Sequence, residues 1–256
     1  METVTHHGRE TAYHRSDRGG DGSPMLCVHG SGGSHEVWKG QSRLADDRPV
    51  VAVDLSGHGE SADVDAEAGY EALSAYVDDV VAVARATDAG VLVGNSLGGA
   101  VVLATALERD LSLDALVLVG TGAKLAVLDD LLTWLQEDFD RAVDFLHEGN
   151  RLFHDPEEPL VERSRETLYE TGSAITYRDF RTCHEFDVRD RLDAIDVPSL
   201  AVVGEYDQLT PTRYHEFLAD EMPDCRLVTV DDAAHLAMLE RPAAFNDAVA
   251  TFLSDV

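Results

Sequence analysis

The chain has 256 residues, 44% of them hydrophobic, enough for one sizeable α/β domain with a packed core. Forty-nine Asp and Glu face twenty Lys and Arg, a formal net charge of −29 that leaves no basic patch to displace phosphate counterions and so argues against a nucleic-acid partner. No apolar run approaches the ~18 residues that a bilayer span needs.

Short β-branched apolar runs alternate with longer helical patterns, the signature of a mostly parallel sheet covered by helices. A weak hairpin is expected first, around Val4-Thr5 and residues 10–14, turned at His7-Gly8. Strand-like runs follow at 25–28, 49–55, 90–94, 113–119, 199–204 and 225–230. Residues 70–85 carry Leu73, Val77, Val80, Val81 and Ala84 at helical spacing, and 97–108 and 242–253 read the same way. From about Ala123 to Ile195 the alternation stops. Leu128, Leu132, Leu135, Phe139, Val143 and Leu146 fall at three- and four-residue steps. Asp155-Pro156-Glu157-Glu158-Pro159 then breaks the pattern, and 160–169 and 174–186 follow as further helices. The expected organisation is a core of residues 1–122 and 196–256, with a helical cap of 123–195 inserted after the sixth strand.

Gly94-Asn95-Ser96-Leu97-Gly98 fits G-x-S-x-G in its required context, a buried strand before and a helix after. The serine occupies a strained turn whose neighbours approach too closely for side chains, hence the flanking glycines. A serine hydroxyl is a poor nucleophile without a base in reach. His235 lies between the last strand run and the last helix, on a loop that reaches the carboxyl edge of the sheet where the serine turn also lies. Asp207 follows the strand at 199–204 and completes the order Ser, Asp, His; Glu205, closer to the strand, is the weaker rival acid. An oxyanion hole needs two backbone N–H groups. One falls to Leu97, after the nucleophile. The other falls to Ser31 in the glycine-rich loop His29-Gly30-Ser31-Gly32-Gly33, with Gly32 the alternative and His29 a brace for the loop.

HGSGG at 29–33, DLSGHGES at 54–61, VGNSLGG at 93–99, GEYDQLTP at 204–211 and AAHLAMLERP at 233–242 together resemble the α/β-hydrolase superfamily. They occur in its order and cover nearly the whole chain outside the cap. The resemblance implies an eight-stranded sheet, a cap after the sixth strand, and hydrolysis through an acyl-enzyme. It also implies that the turn holding His58 is structural and borders the pocket. Serine at 96 separates the chain from the haloalkane dehalogenases and epoxide hydrolases of this fold, which place aspartate there. Hydroxynitrile lyases carry lysine after the catalytic histidine, where this chain has Leu236. Carbon–carbon bond hydrolases of aromatic degradation share the asparagine matched by Asn95, but usually show tryptophan at the Leu236 position.

The expected function is hydrolysis of a small or medium carboxylic ester, lactone or thioester. The alternatives are a carbon–carbon bond hydrolase of the meta-cleavage type and, in a different class, a non-catalytic ligand-binding member of the fold. Gly30, Gly32, Asn95, Trp134 and Leu236 are expected to touch substrate. Leu128, Leu131, Leu135, Phe139 and Phe153 fit an apolar pocket or the cap's own core, and Arg178 or Arg181, near Cys183 and His184, fits a substrate carboxylate or a surface ion pair. No ligand-spaced metal motif or dinucleotide loop is present, so neither metal nor cofactor is expected, and the one partner is a small-molecule ester met by a monomer or homodimer. Cys27, Cys183 and Cys225 read as buried reduced thiols. With no readable signal peptide, a cytoplasmic enzyme is expected. Acidic pairs such as Asp46-Asp47, Asp78-Asp79 and Asp231-Asp232 are spread along the chain, as in a solvated acidic shell rather than a docking tail, and Lys39 and Lys124 are its only lysines. That composition resembles proteins of extreme halophiles, in which concentrated salt screens the self-repulsion.

Overall fold

The computed structural model describes residues 1–256. The chain opens with β1 (Glu2–His6) and β2 (Arg9–Ser16), paired antiparallel around His7 and Gly8, which both take the positive φ (46° and 79°) that a two-residue hairpin turn demands. There follow β3 (Met25–Val28), β4 (Val50–Val53), α1 (Tyr70–Thr87), β5 (Val91–Asn95), α2 (Leu97–Glu108) and β6 (Ala115–Val119). After an insertion come β7 (Ser199–Gly204) and β8 (Cys225–Val230). The eight strands form one sheet in the order β1-β2-β4-β3-β5-β6-β7-β8, parallel from β4 onward.

Alternate strand residues divide between two cores. Leu26, Val28, Val51, Val53, Leu92, Leu116 and Leu118 face one side, with Tyr76 and Val80 of α1 and Val101 and Leu103 of α2. Met25, Cys27, Val50, Val93, Val117 and Val119 face the other, where Trp38 packs with Phe245 and Val249. Period-two side-chain direction makes this division, and burial on both faces explains why the strands read as continuous apolar runs. Each fully buried leucine of the sheet contributes roughly 1.5–3 kcal/mol relative to exposure.

The segments expected at 25–28, 97–108, 199–204, 225–230 and 242–253 have those bounds, the last being the terminal helix Pro242–Leu253. Besides two short turns of helix at Leu192–Ala194 and Ala237–Glu240, two longer elements go beyond the expectation. His35–Asp46 winds as 3-10 helix, burying Trp38, Gln41, Leu44 and Ala45 at near three-residue spacing amid polar residues. A helix at Thr212–Glu221 starts after Pro211 and buries only His215 and Leu218, too thin a stripe to read.

Four helices make up the insertion: α3 (Asp129–Glu137), α4 (Phe139–His147), α5 (Glu158–Thr171) and α6 (Ser173–Glu185). The apolar stripe from 128 to 146 is not one helix. Asp138 interrupts it, its carboxylate accepting from the N–H of Arg141 at 3.3 Å to cap α4. Leu131, Leu135, Ala142, Val143, Leu146 and Leu168 form a small core of their own. Both ends of the insertion meet where the Val188 N–H donates to Ala123 O at 2.8 Å and Lys124 bridges to Asp187. No helix of the chain is long and apolar enough to cross a membrane.

Two expectations are corrected. Cys27 and Cys183 are buried free thiols, but Cys225, on the edge strand β8, is partly exposed. Asp79 is not part of a solvated acidic shell: it is fully buried, accepting from Arg9 at 2.9 Å, from the Thr11 hydroxyl at 3.1 Å and from the Ser56 N–H at 2.8 Å.

Candidate active site

Strand β5 delivers Ser96 to the carboxyl edge of the sheet, and α2 departs from it at once. The backbone of Ser96 is at φ 55° and ψ −115°, a conformation that costs of order 1–3 kcal/mol for a residue with a side chain. The surroundings enforce it. Ser96 N–H donates to Val119 O at 2.9 Å, and the Thr121 hydroxyl donates to Ser96 O at 2.8 Å. A Cβ on Gly94 would stand 2.2 Å from the Gly98 carbonyl, and one on Gly98 2.3 Å from the Val28 carbonyl, so the turn closes only with glycine at both places. Leu97 opens α2, where its N–H has no intrahelical acceptor.

Asp207 and His235 are joined directly, Nδ1 to Oδ2 at 3.0 Å, with both side chains buried. Asp207 Oδ1 accepts from the N–H groups of Leu209 and Thr210, each at 2.9 Å, and Oδ2 accepts from the Thr210 hydroxyl at 2.7 Å. Burial alone would raise the Asp207 carboxyl. The charge and hydrogen bond of His235, with the two donors of Thr210, outweigh it and hold the group below the usual carboxylate range. Glu205 turns away, its carboxylate accepting from the Asp232 N–H at 3.2 Å.

In the loop after β3, His29 is neutral and braces the backbone as expected. Its Nδ1 faces Gly30 O at 2.8 Å, and its Nε2 accepts from the Leu55 N–H at 3.1 Å. Burial, aided by the charge of His58, pushes it down to about 4. The Gly32 N–H donates to Asp179 Oδ2 at 2.9 Å, which removes Gly32 as an oxyanion donor, whereas the Ser31 N–H has no partner within the protein. A Cβ on Gly30 would lie 3.1 Å from that of Ser96, so this loop and the serine turn are in contact.

Ser96, His235, Leu236, Asn95 and residues 30–33 border a cavity of about 670 Å³ between the sheet edge and the insertion. The insertion contributes Leu128, Leu131, Phe145, Leu168 and Cys183, and Cys183 Sγ lies 3.7 Å from Ser31 Oγ. Trp134 is a correction: it lies outside the cavity, edge-on to Phe145 and covered by Arg141 at 4.1 Å, while Phe145 takes the wall. Leu135, Phe139 and Phe153 are likewise packing residues rather than wall. Asn95 borders the cavity with its amide committed to Val119 O at 3.2 Å and His235 O at 3.3 Å, so it braces the histidine loop instead of reaching for substrate. Arg178 is bound to Asp63, Tyr76 and two carbonyls, and Arg181 to Glu185.

Several residues that matter here escaped the sequence reading. Thr210 was legible in principle, since a polar residue three after an aspartate often closes a turn on it. Glu240 joins the insertion to the histidine loop, accepting from the N–H groups of His154 at 2.6 Å and Ala234 at 2.7 Å. Asp179 receives Tyr76 OH at 2.6 Å and His58 Nε2 at 2.8 Å besides the Gly32 N–H. Burial would raise the Asp179 carboxyl, yet His58 holds it low, and Asp179 in turn raises His58 against burial. Since His58 Nδ1 faces Ser56 O at 3.2 Å, both ring nitrogens meet acceptors and the ring is an imidazolium.

A family profile described as the alpha/beta hydrolase family matches residues 25–248, and the chain belongs to that family. Pimeloyl-[acyl-carrier protein] methyl ester esterase of Neisseria meningitidis serogroup C is 30% identical over 240 residues, 86% of this chain and 90% of that one. A 2-hydroxy-6-oxo-6-(2'-aminophenyl)hexa-2,4-dienoic acid hydrolase of Metapseudomonas resinovorans is 28% identical over 96% of this chain and 88% of its own length. A solved thermophilic esterase superposes with a TM-score of 0.86 at 30% identity, over 99% of this chain and 97% of that one. With this fold and these relatives the protein is an esterase-like hydrolytic enzyme.

Proposed function

We propose that the protein cleaves a small or medium carboxylic ester through an acyl-enzyme on Ser96. The observation that carries the reading is the strained Ser96 turn opening on the same cavity as a His235 ring already held by a buried, fully bonded Asp207. Ser96 Oγ attacks the carbonyl while His235 takes its proton, and Asp207 fixes the tautomer and stabilises the imidazolium. The N–H groups of Leu97 and Ser31 receive the oxyanion. His235 returns the proton to the leaving alcohol, then activates the water that releases the acid. The mixed apolar wall of Leu128, Leu131, Phe145 and Leu168 suits an acyl chain. The acidic surface supports a cytoplasm of concentrated salt as the working environment.

Fluorophosphonate labelling in molar KCl tests the reading, with Ser96→Ala as the comparison. Labelling of the native protein that vanishes in the variant is the expected result, alongside turnover of p-nitrophenyl esters and none of a 2-hydroxy-6-oxo-dienoate. A folded native protein that neither labels nor turns over overturns it in favour of a ligand-binding role. Turnover of the dienoate alone shifts it to carbon–carbon cleavage.

A further inference from the structure

The two peptide units flanking Ser31 are anchored separately, and one anchor comes from the insertion. Within one planar trans unit the C=O and N–H point in opposite directions. The carbonyl of the Gly30–Ser31 unit is held by His29 Nδ1 at 2.8 Å and by the Gly33 N–H at 3.1 Å. Its N–H, that of Ser31, therefore points away from those groups and is left without a protein partner. The next unit is held through the Gly32 N–H on Asp179 Oδ2 at 2.9 Å. Together the two anchors leave the Ser31 backbone no freedom to swing.

Asp179 is a fully buried carboxylate on α6, 147 residues along the chain from Gly32. A buried carboxylate destabilises unless charge and hydrogen bonds surround it, and here His58, Tyr76 and the Gly32 N–H do so. Two of these three partners position the carboxylate, and the third is the loop that it holds.

We propose that Asp179 is a positioning residue for the oxyanion hole, aiming the free Ser31 N–H at the developing oxyanion through its bond to Gly32. The inference rests on Ser96 acting as an acyl-transfer nucleophile. A donor fixed before the reaction needs no reorganisation when charge develops, which is where such groups act most strongly. Loss of the anchor loosens a donor without deleting it, so the effect falls below the 10²–10³-fold of a removed donor, at about 10–100-fold in kcat.

The decisive variant replaces the amide at residue 32 by an ester, with glycolic acid in place of Gly32, which removes the N–H that Asp179 accepts and leaves every side chain in place. The expected result is a fall in kcat of about 10–100-fold with KM within about twofold, and an equal loss of affinity for a trifluoromethyl ketone, whose adduct carries the oxyanion. Binding of the product acid should stay unchanged. Asp179→Leu, where it folds by circular dichroism, should behave alike. Asp63→Asn, which loosens the neighbouring Arg178 anchor without touching Asp179, should keep kcat within about twofold. The proposal is overturned by a residue-32 ester whose kcat is unchanged, or by an equal loss in Asp63→Asn. An unfolded Asp179→Leu leaves the ester to decide. Native protein without esterase activity or labelling would instead defeat the assignment of Ser96 itself.

Discussion

Replacing Asp207 by asparagine exchanges one oxygen for an NH₂, and the structure dictates which one. Oδ1 accepts from two backbone donors, the N–H groups of Leu209 and Thr210, each at 2.9 Å. Turning the new NH₂ to that corner would leave both buried donors unmet, at about 1–3 kcal/mol each. The amide oxygen must therefore sit there, and the NH₂ must face His235 Nδ1, now 3.0 Å from Oδ2. Nδ1 then has to accept, which places the ring proton on Nε2. An Nε2–H has no lone pair for the Ser96 proton, so the base is switched off while the site keeps its shape. Inversion of this kind costs ~10⁴ in kcat, or about 5 kcal/mol of barrier at 1.36 kcal/mol per decade. Steady-state hydrolysis of p-nitrophenyl acetate near neutral pH in molar KCl reads the loss, and circular dichroism verifies the fold. A folded Asp207→Asn that loses less than about tenfold would refute the tautomer argument and remove Asp207 from the triad.

Three further outcomes follow from the same structure. His29 and His215 are each pushed down to about 4, chiefly by burial, so between pH 6.5 and 4 the unfolded chain takes up protons that the folded chain refuses. Stability should fall across that window by up to about 1.4 kcal/mol per pH unit for each histidine; His58, raised by Asp179, contributes fully below 6.5 and adds no slope there. Urea midpoints that do not move between neutral pH and pH 5 would contradict this. With a net charge of −29, Tm should climb from dilute buffer into molar KCl, by about 2–4 °C for each kcal/mol of repulsion relieved; a Tm that peaks below about 0.2 M salt would count against a saline habitat. Trp134→Ala should leave kcat/KM within about twofold, whereas Leu131→Ala, which opens the cavity wall, should lower it about tenfold for a medium-chain ester; equal effects would return Trp134 to the substrate site.

What could be read from the sequence was what is encoded locally. The strand before Ser96, the glycines that admit its turn and the helix after it lie within some twenty consecutive residues, so steric necessity left a contiguous trace. That Asp207 and His235 would meet was legible because each follows a strand of clear apolar pattern, and the fold brings those strand ends to one edge. Trp134 failed because helical periodicity marks an apolar face without saying whether it meets a cavity or a neighbouring helix; the packing of Phe145 and Arg141 decides that. The break at Asp138 was hidden because an aspartate in an acidic sequence looks like one more solvated charge until its carboxylate caps α4. Asp79 misled for the same reason, since only the pairing of β1 and β2 against α1 encloses it with Arg9.

The division between legible and hidden residues follows the division of labour in the molecule. On the proposed reading, the chemistry that any ester needs falls to core loops with strong local constraints: the serine turn, the Asp207–Thr210 turn and the loop after β3. Contacts between core and insertion have no such constraint, because each depends on two segments far apart in sequence. Gly32 to Asp179, Ser31 to Cys183 and the Glu240 clamp on His154 and Ala234 are all of this kind. Yet these contacts hold the loops that carry the Ser31 N–H and His235. If those groups act as proposed, the insertion is more than a cavity wall. Substitutions in α6 should alter kcat as well as KM, while those in α3 and α4, which give Leu131 and Phe145 to the wall but no hydrogen bond to the serine or histidine loop, should act mainly through KM.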